Sequence, residues 1–170
     1  MPPLSPPAAV SRFAHPQGLA LILLLHSAVY IAGSLPSPLI GIDPWGHALA
    51  ARYVAATGSL REPFPERTML HYVDAYPPGF PLLVGNSLLP GASLSQVLML
   101  VTILCATLAL SWFFSLAHLL YRDRGKALAA TAVLAAMPSF ISRHPWGHAP
   151  AVGLVVATFF FMWLAAREAL

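Results

Sequence analysis

The longest apolar run of the chain extends from Leu94 to Tyr121, and its 28 residues include no Asp, Glu, Lys or Arg. A helix needs about 20 mostly apolar residues to cross the hydrocarbon core of a bilayer. Lipid offers no hydrogen-bond partners to the backbone, so such a segment is expected to be helical. Of the 170 residues, 58% are hydrophobic and 9% are charged, whereas soluble domains carry about 25% charged residues. The sequence therefore predicts an all-α integral membrane protein.

Three further apolar stretches predict spans, which gives about four transmembrane helices in one domain. They cover residues 19–40, 127–142 and 149–167. Residues 41–93 form a long loop between the first span and the uncharged run. Short apolar pieces in this loop are broken by prolines, so they predict interfacial helices that lie on the membrane. Residues 1–17 are rich in proline and predict a disordered tail.

Basic residues between the second and third predicted spans indicate the orientation of the chain. The segment YRDRGK places Arg122, Arg124 and Lys126 in one short connection. Because short loops rich in Lys and Arg face the cytoplasm, the N-terminus is predicted to be cytoplasmic and the loop 41–93 to lie outside the plasma or inner membrane. The net charge of +3 is spread along the chain, so the expected partner is membrane lipid and no nucleic acid.

A five-residue pattern occurs twice, as DPWGH from Asp43 and as HPWGH from His144. Both copies are predicted on the outer side, and each resembles a helix start, with Asp or His as the N-cap and proline at the first helical position. The first helix is predicted over residues 44–57 and ends at Gly58. Its apolar stripe, predicted to lie on the membrane surface, consists of Trp45, Leu49, Tyr53 and Ala56.

The spacing within each copy predicts a polar site at the outer membrane face. Residues four positions apart lie on one side of a helix, so each copy brings two polar groups together. The candidate metal ligands are Asp43, His47, His144 and His148. The candidate substrate-binding residues of the same outer segments are Arg52, His71, Asp74, Tyr76 and Arg143. A second interpretation is that each copy is only a helix start with an interfacial tryptophan, and that its histidines bind nothing.

Two stretches of the long loop resemble a known family. DPWGHALAARYVAATGS is similar to the first outer loop of oligosaccharyltransferase catalytic subunits, and YPPGFPLL is similar to the proline pair in the same loop of protein mannosyltransferases and aminoarabinose transferases. All belong to the GT-C class of membrane glycosyltransferases. The resemblance covers about residues 19–170 and only the N-terminal part of such an enzyme. It implies a polyprenyl-phosphate-linked sugar as donor and a lipid or protein as acceptor, at the outer face.

The resemblance also implies that Asp43 is catalytic, since it matches the aspartate of the family's first outer loop. A carboxylate can take a proton from an attacking hydroxyl or bind a hard cation. The second outer turn, SRHPWGHAP, lacks the acidic residues of oligosaccharyltransferases, and its two histidines could replace them. A ligand set of three histidines and one aspartate suits Mn²⁺ or Zn²⁺ better than Mg²⁺. Over the family as a whole, the expected cofactor is Mn²⁺ or Mg²⁺, ahead of Zn²⁺. One of the four outer arginines, Arg52, Arg61, Arg67 or Arg143, could neutralise the departing phosphate.

The sequence leaves another class of function open, a non-enzymatic multi-span membrane protein such as a transporter subunit or an assembly partner. His26 and His118 lie inside predicted spans, where we expect packing or the backbone to satisfy them. Enzymes of the GT-C class have more spans, so the resemblance implies that downstream spans or a partner subunit complete the protein. An alanine at position 43 should be tolerated by a transporter or scaffold and not by a glycosyltransferase.

Overall fold

The computed structural model describes residues 14–34, 42–58, 79–88, 90–138, 140 and 149–169. These residues form six α-helices and no strand, so the all-α prediction is confirmed for them. The helices are α1 (Ala14–Ser34), α2 (Ile42–Thr57), α3 (Gly79–Asn86), α4 (Leu94–Tyr121), α5 (Arg124–Ala136) and α6 (Ala149–Ala169).

Two helices of the described part are long and apolar enough to cross a membrane, α1 over Pro16–Gly33 and α4 over its full length. The side of α4 that faces away from the other helices carries a leucine on each of three successive turns. Leu100 is 61% exposed, Leu104 57% and Leu108 44%. Keeping apolar surface in contact with water costs about 25 cal/mol per Å² relative to burying it. A hydrocarbon surrounding removes that cost, so the exposed stripe favours a membrane environment for α4.

Local capping explains why α4 starts where it does. The Ser93 side chain accepts a hydrogen bond from the backbone N–H of Gln96, and the Gln96 side chain accepts one from the backbone N–H of Ser93, both at 3.3 Å. This reciprocal capping box satisfies two backbone donors that the first turn of a helix leaves without partners. The helix therefore begins at Leu94, the first residue of the uncharged run.

A two-residue turn joins α4 to α5. The backbone N–H of Arg122 donates to the carbonyl of His118 at 2.9 Å, and Arg122 adopts the left-handed conformation with φ 52°. Asp123 then caps α5, because its Oδ1 accepts from the backbone N–H groups of Gly125 at 2.8 Å and Lys126 at 3.1 Å. So short a connection makes α4 and α5 antiparallel neighbours.

The helix α5 is shorter than the predicted third span at 127–142. It begins three residues earlier and ends at Ala136. Met137 has an extended backbone (φ −66°, ψ 125°) because it precedes Pro138, whose ring disfavours the helical conformation of the residue before it. The 13 residues rise about 20 Å, against about 30 Å for the hydrocarbon core of a bilayer.

The helix α1 packs on α5 around one buried histidine. His26 is 6% exposed, and its Nδ1–H donates to the carbonyl of Ala135 at 3.1 Å. Its ring also packs against Phe140, with the centroids 5.4 Å apart. Ala135 lies in the last turn of α5, where carbonyls have no partner within the helix. The prediction that packing or the backbone satisfies His26 is confirmed for its Nδ1 atom.

The most extensive helix contact joins α4 to α6. It is built from aromatic rings in the C-terminal half of each helix. Trp112 lies 4.9 Å from Phe160 and 5.2 Å from Trp163, and Phe113 lies 5.2 Å from Phe159, between ring centroids. Each close ring pair contributes about 0.5–1.5 kcal/mol beyond the area that it buries. This aromatic contact holds the C-terminal ends of α4 and α6 together.

Candidate functional site

The two short helices α2 and α3 form a unit that packs on the N-terminal half of α4. The buried cluster that joins the three helices comprises Ala48, Ala51, Phe80, Val84, Val97, Leu98 and Val101. The basic turn at Arg122 follows the C-terminus of α4. The α2–α3 unit therefore lies at the end of the bundle opposite to the basic turn, which is the arrangement expected of an outer-loop element.

A glycine allows α2 and α3 to come close together. A Cβ atom added to Gly85 would lie 2.7 Å from the carbonyl oxygen of Ala51 and 2.8 Å from the Cβ of Val54. Real Cβ atoms do not approach backbone atoms this closely, so only glycine fits between the helices. On the facing side of α2, Ala48, Ala51 and Val54 are buried. The sequence signal for this contact was the glycine inside a short apolar helix, and it was missed.

The buried face of α2 is not the stripe predicted from the sequence. Leu49 is 42% exposed and Ala56 is also exposed, whereas the side packed on α3 and α4 consists mainly of alanines. The stripe was predicted to lie on the membrane surface, and the exposure of Leu49 and Ala56 does not contradict that prediction. The contact face of α2, made of small residues, was not predicted. Small residues bring helix backbones close in membrane proteins, and large apolar ones face the lipid.

Asp43 lies in the first turn of α2, one residue after the helix begins at Ile42. The predicted helix end is confirmed, because Gly58 has φ 71° and its N–H donates to the carbonyl of Val54 at 2.7 Å. The helix starts two residues earlier than predicted, at Ile42 and not at residue 44, so Asp43 lies inside the helix and is not its N-cap. Its side chain is outside the described part of the structure.

His47 follows Asp43 by one helical turn, so the two positions share one side of α2. The His47 side chain is 4% exposed, and its ring meets Phe80 of α3 edge-on, with the centroids 5.6 Å apart and the planes at 79°. Phe80 was missed as a neighbour of the site because it follows 33 positions later in the chain. His47 therefore has the surroundings of a histidine packed between two helices.

Arg52 is exposed and lies away from Asp43. Nine positions separate the two residues, which places them about 180° apart around the helix and about 14 Å apart along its axis. The helix α2 therefore does not bring Arg52 and Asp43 to one point, and the prediction of Arg52 as a substrate contact near Asp43 has no support from the register of α2.

Six of the predicted site residues lie outside the described part of the chain: His71, Asp74, Tyr76, Arg143, His144 and His148. The helices beside them are described. α3 contacts α2, α4 and α6, and α6 begins at Ala149, directly after the second copy of PWGH. Thus α3 contacts α2, which contains the first copy, and α6, which begins directly after the second copy. Within the described ranges, no group of three or more His, Cys, Asp or Glu side chains could hold a metal ion. The predicted four-ligand site, half of which is outside those ranges, stays a prediction.

No family model, no curated protein and no solved structure matches this chain. Its function is therefore inferred from the chemistry of its residues and from the geometry of the α2–α3 unit.

Proposed function

We propose that the chain is the N-terminal part of a GT-C type membrane glycosyltransferase, which transfers a sugar or oligosaccharide from a polyprenyl-phosphate carrier to a lipid or protein acceptor. The observation that carries the proposal is the position of Asp43 in the first turn of α2, within a two-helix unit at the end of the bundle opposite to the basic turn. The four-span topology, with this unit at the outer face of the plasma or inner membrane, is part of the proposal.

Asp43 acts as the base. Its carboxylate takes the proton of the acceptor hydroxyl, the hydroxyl oxygen attacks the anomeric carbon, and the bond from that carbon to the phosphate oxygen breaks. The polyprenyl phosphate leaves with the bonding electron pair. The N-terminal turn of a helix favours a negative charge, so a carboxylate suits this position. A positioned general base typically accelerates such a step by about 10²–10⁴-fold.

The predicted metal centre stays a prediction, because the side chains of Asp43, His144 and His148 lie outside the described part of the structure. His47 is the one predicted ligand whose side chain is described, and its ring packs against Phe80. We therefore route no step through a divalent metal, and Mn²⁺ enters the proposal only as a variable of the binding experiment.

The test is binding and transfer with a polyprenyl-phosphate sugar and the purified chain in detergent, with and without Mn²⁺. Saturable binding to the wild type and weaker binding to Asp43→Ala are expected. Asp43→Asn preserves shape and removes the base, so transfer should fall about 10²–10⁴-fold with a smaller change in binding. Glu168→Ala is the matched control, because it removes an exposed carboxylate from the far end of α6.

The outcomes separate this proposal from a non-enzymatic membrane protein. If the folded wild-type chain binds no donor, the glycosyltransferase proposal fails. If the donor binds and Asp43→Asn transfers sugar at the wild-type rate, Asp43 is not the base.

A further inference from the structure

A second polar cluster lies at the other end of the bundle, between the C-terminal ends of α4 and α6. These ends enclose a cavity of about 420 Å³ lined by Phe114, Ser115, His118, Leu119, Arg122 and Trp163. The cavity is far from the α2–α3 unit, since that unit packs on the N-terminal half of α4. None of its residues belongs to the proposed glycosyltransferase site.

Three cavity residues follow each other along one face of α4. Phe114, His118 and Arg122 are spaced by four positions, so each lies one turn, about 6 Å, beyond the previous one. The rings of Phe114 and His118 are stacked, with the centroids 6.2 Å apart and the planes at 18°. Polarity thus rises in order towards the helix end, from an apolar ring through an imidazole to a guanidinium group.

The helix α6, which packs against α4, also has an aromatic residue followed by a basic residue. On α6, Arg167 follows Trp163 by one turn, and its guanidinium carbon lies 5.5 Å from the centroid of the indole ring. The cation–π contact holds the Arg167 head group beside the cavity wall. Both helices therefore change from aromatic to basic in the same direction, and Arg124 and Lys126 add charge just beyond Arg122.

The length of α4 places this gradient across the membrane interface. Its 28 residues rise about 42 Å, close to the thickness of a bilayer including its headgroups. When α4 spans the bilayer, Arg122 lies at headgroup level and Phe114 about 12 Å deeper, among the acyl chains. A phosphate pairs with guanidinium groups, and an acyl chain suits a wall of aromatic and leucine side chains. A soluble phosphate would leave that apolar wall without a ligand.

We propose that this cavity binds an anionic phospholipid, with the phosphate at Arg122 and the acyl chain against Phe114 and Trp163. The His118 ring lines the intermediate level, where the glycerol esters of the lipid lie. Its Nδ1 is buried and has no hydrogen-bond partner among the described residues. The proposal requires that α4 spans the bilayer, and it does not depend on the glycosyltransferase activity.

Bromine-labelled lipids test the proposal, because bromine quenches tryptophan fluorescence on contact and Trp163 lines the cavity. The full chain is placed in phosphatidylcholine nanodiscs that contain increasing fractions of brominated phosphatidylglycerol or brominated phosphatidylcholine. The ratio of the two apparent association constants gives the preference for the anionic lipid. In the wild type, we expect brominated phosphatidylglycerol to quench more strongly than brominated phosphatidylcholine at the same fraction. We expect Trp163→Phe to lose this extra quenching by phosphatidylglycerol.

Two charge variants make the test specific. Arg122→Gln removes the cavity guanidinium and should lower the preference about fivefold, the effect of one basic side chain at a lipid surface. Arg124→Gln is the matched control. It removes the same charge two positions further along the chain, and Arg124 does not line the cavity. The lipid preference of this variant should change less than twofold.

Four results would overturn the proposal. They are equal quenching by the two lipids, an unchanged preference in Arg122→Gln, equal losses in both charge variants, and extra quenching that survives Trp163→Phe. Soluble glycerol phosphate is added in a separate arm. Full competition by it would show a site for free phosphate in place of a lipid site, and no competition supports the lipid.

Discussion

The close contact of α2 and α3 predicts the effect of one methyl group at Gly85. In Gly85→Ala, the added Cβ would lie 2.7 Å from the Ala51 carbonyl oxygen. This atom belongs to the backbone and cannot rotate away as the end of a side chain can. The helix α2 must therefore move away from α3, and the buried contact between Ala51 and Val84 must loosen.

Two opposing terms set the size of the effect. Replacing glycine by alanine inside a helix stabilises the folded chain by about 0.5–1 kcal/mol. Overpacking a close contact costs about 1–3 kcal/mol. The overpacking term is larger, so the net result is a destabilisation of about 1 kcal/mol, equivalent to a roughly fivefold rise in the opening equilibrium of the α2–α3 unit.

The single cysteine of the chain provides the assay. Cys105 lies on α4, is partly buried and packs against the cluster that joins α2, α3 and α4. Its reaction rate with a maleimide dye in detergent therefore reports opening of this cluster. Gly79→Ala is the control in the same helix, because its added Cβ meets nothing within 4 Å. Gly85→Ala should be labelled about fivefold faster than Gly79→Ala. Equal rates, or slower labelling of Gly85→Ala, would refute the close contact.

Two further predictions concern hydrogen bonds that end or begin α5, and each is checked by thermal unfolding in detergent. His26→Leu keeps apolar volume and leaves the Ala135 carbonyl without its donor, so it should cost about 1–3 kcal/mol. His26→Asn can still donate and should recover part of the loss, and equal stability of the leucine variant and the wild type would contradict this. Asp123→Ala removes the cap of α5 and should cost about 1 kcal/mol. Asp123→Ser should restore most of it, which would not happen if the loss came from charge.

Sequence reasoning located helix ends where local chemistry decides them. The bounds of α4 coincide with the uncharged run. At each end, the residues that stop the helix are close neighbours in the chain: the capping box before the run and the basic residues after it. The same holds for Gly58 at the end of α2. At α5 a local signal, the proline after Met137, was available, but the apolar run was followed past it. The continuous helix α5 therefore ends at Ala136, and residues 141–142 of the predicted span lie outside the described part of the structure.

The packing around the candidate site could be predicted less well from the sequence. The spacing of Asp43 and His47 predicted their shared side of α2 correctly, since helical register is a local property. The surroundings of His47 were not predictable in this way, because its neighbour Phe80 comes from another helix. The face of α2 that contacts α3 and α4 was not predicted either, for a physical reason. Hydrophobic periodicity in water identifies the buried face, whereas in a bilayer the large apolar residues also favour the lipid.

The two ends of α4 are chemically different, and this difference gives a test of orientation that needs no functional assay. One end carries the α2–α3 unit, and the other carries Arg122, Arg124, Lys126 and the aromatic contact with α6. Basic residues stay on the cytoplasmic side because anionic lipids and the membrane potential hold them there. A lipid cavity at the basic end and a sugar-transfer site at the opposite end are therefore compatible in one orientation only. A membrane-impermeant probe that labels a cysteine introduced at Lys126 in intact cells would contradict both the orientation and the outer-face placement of Asp43.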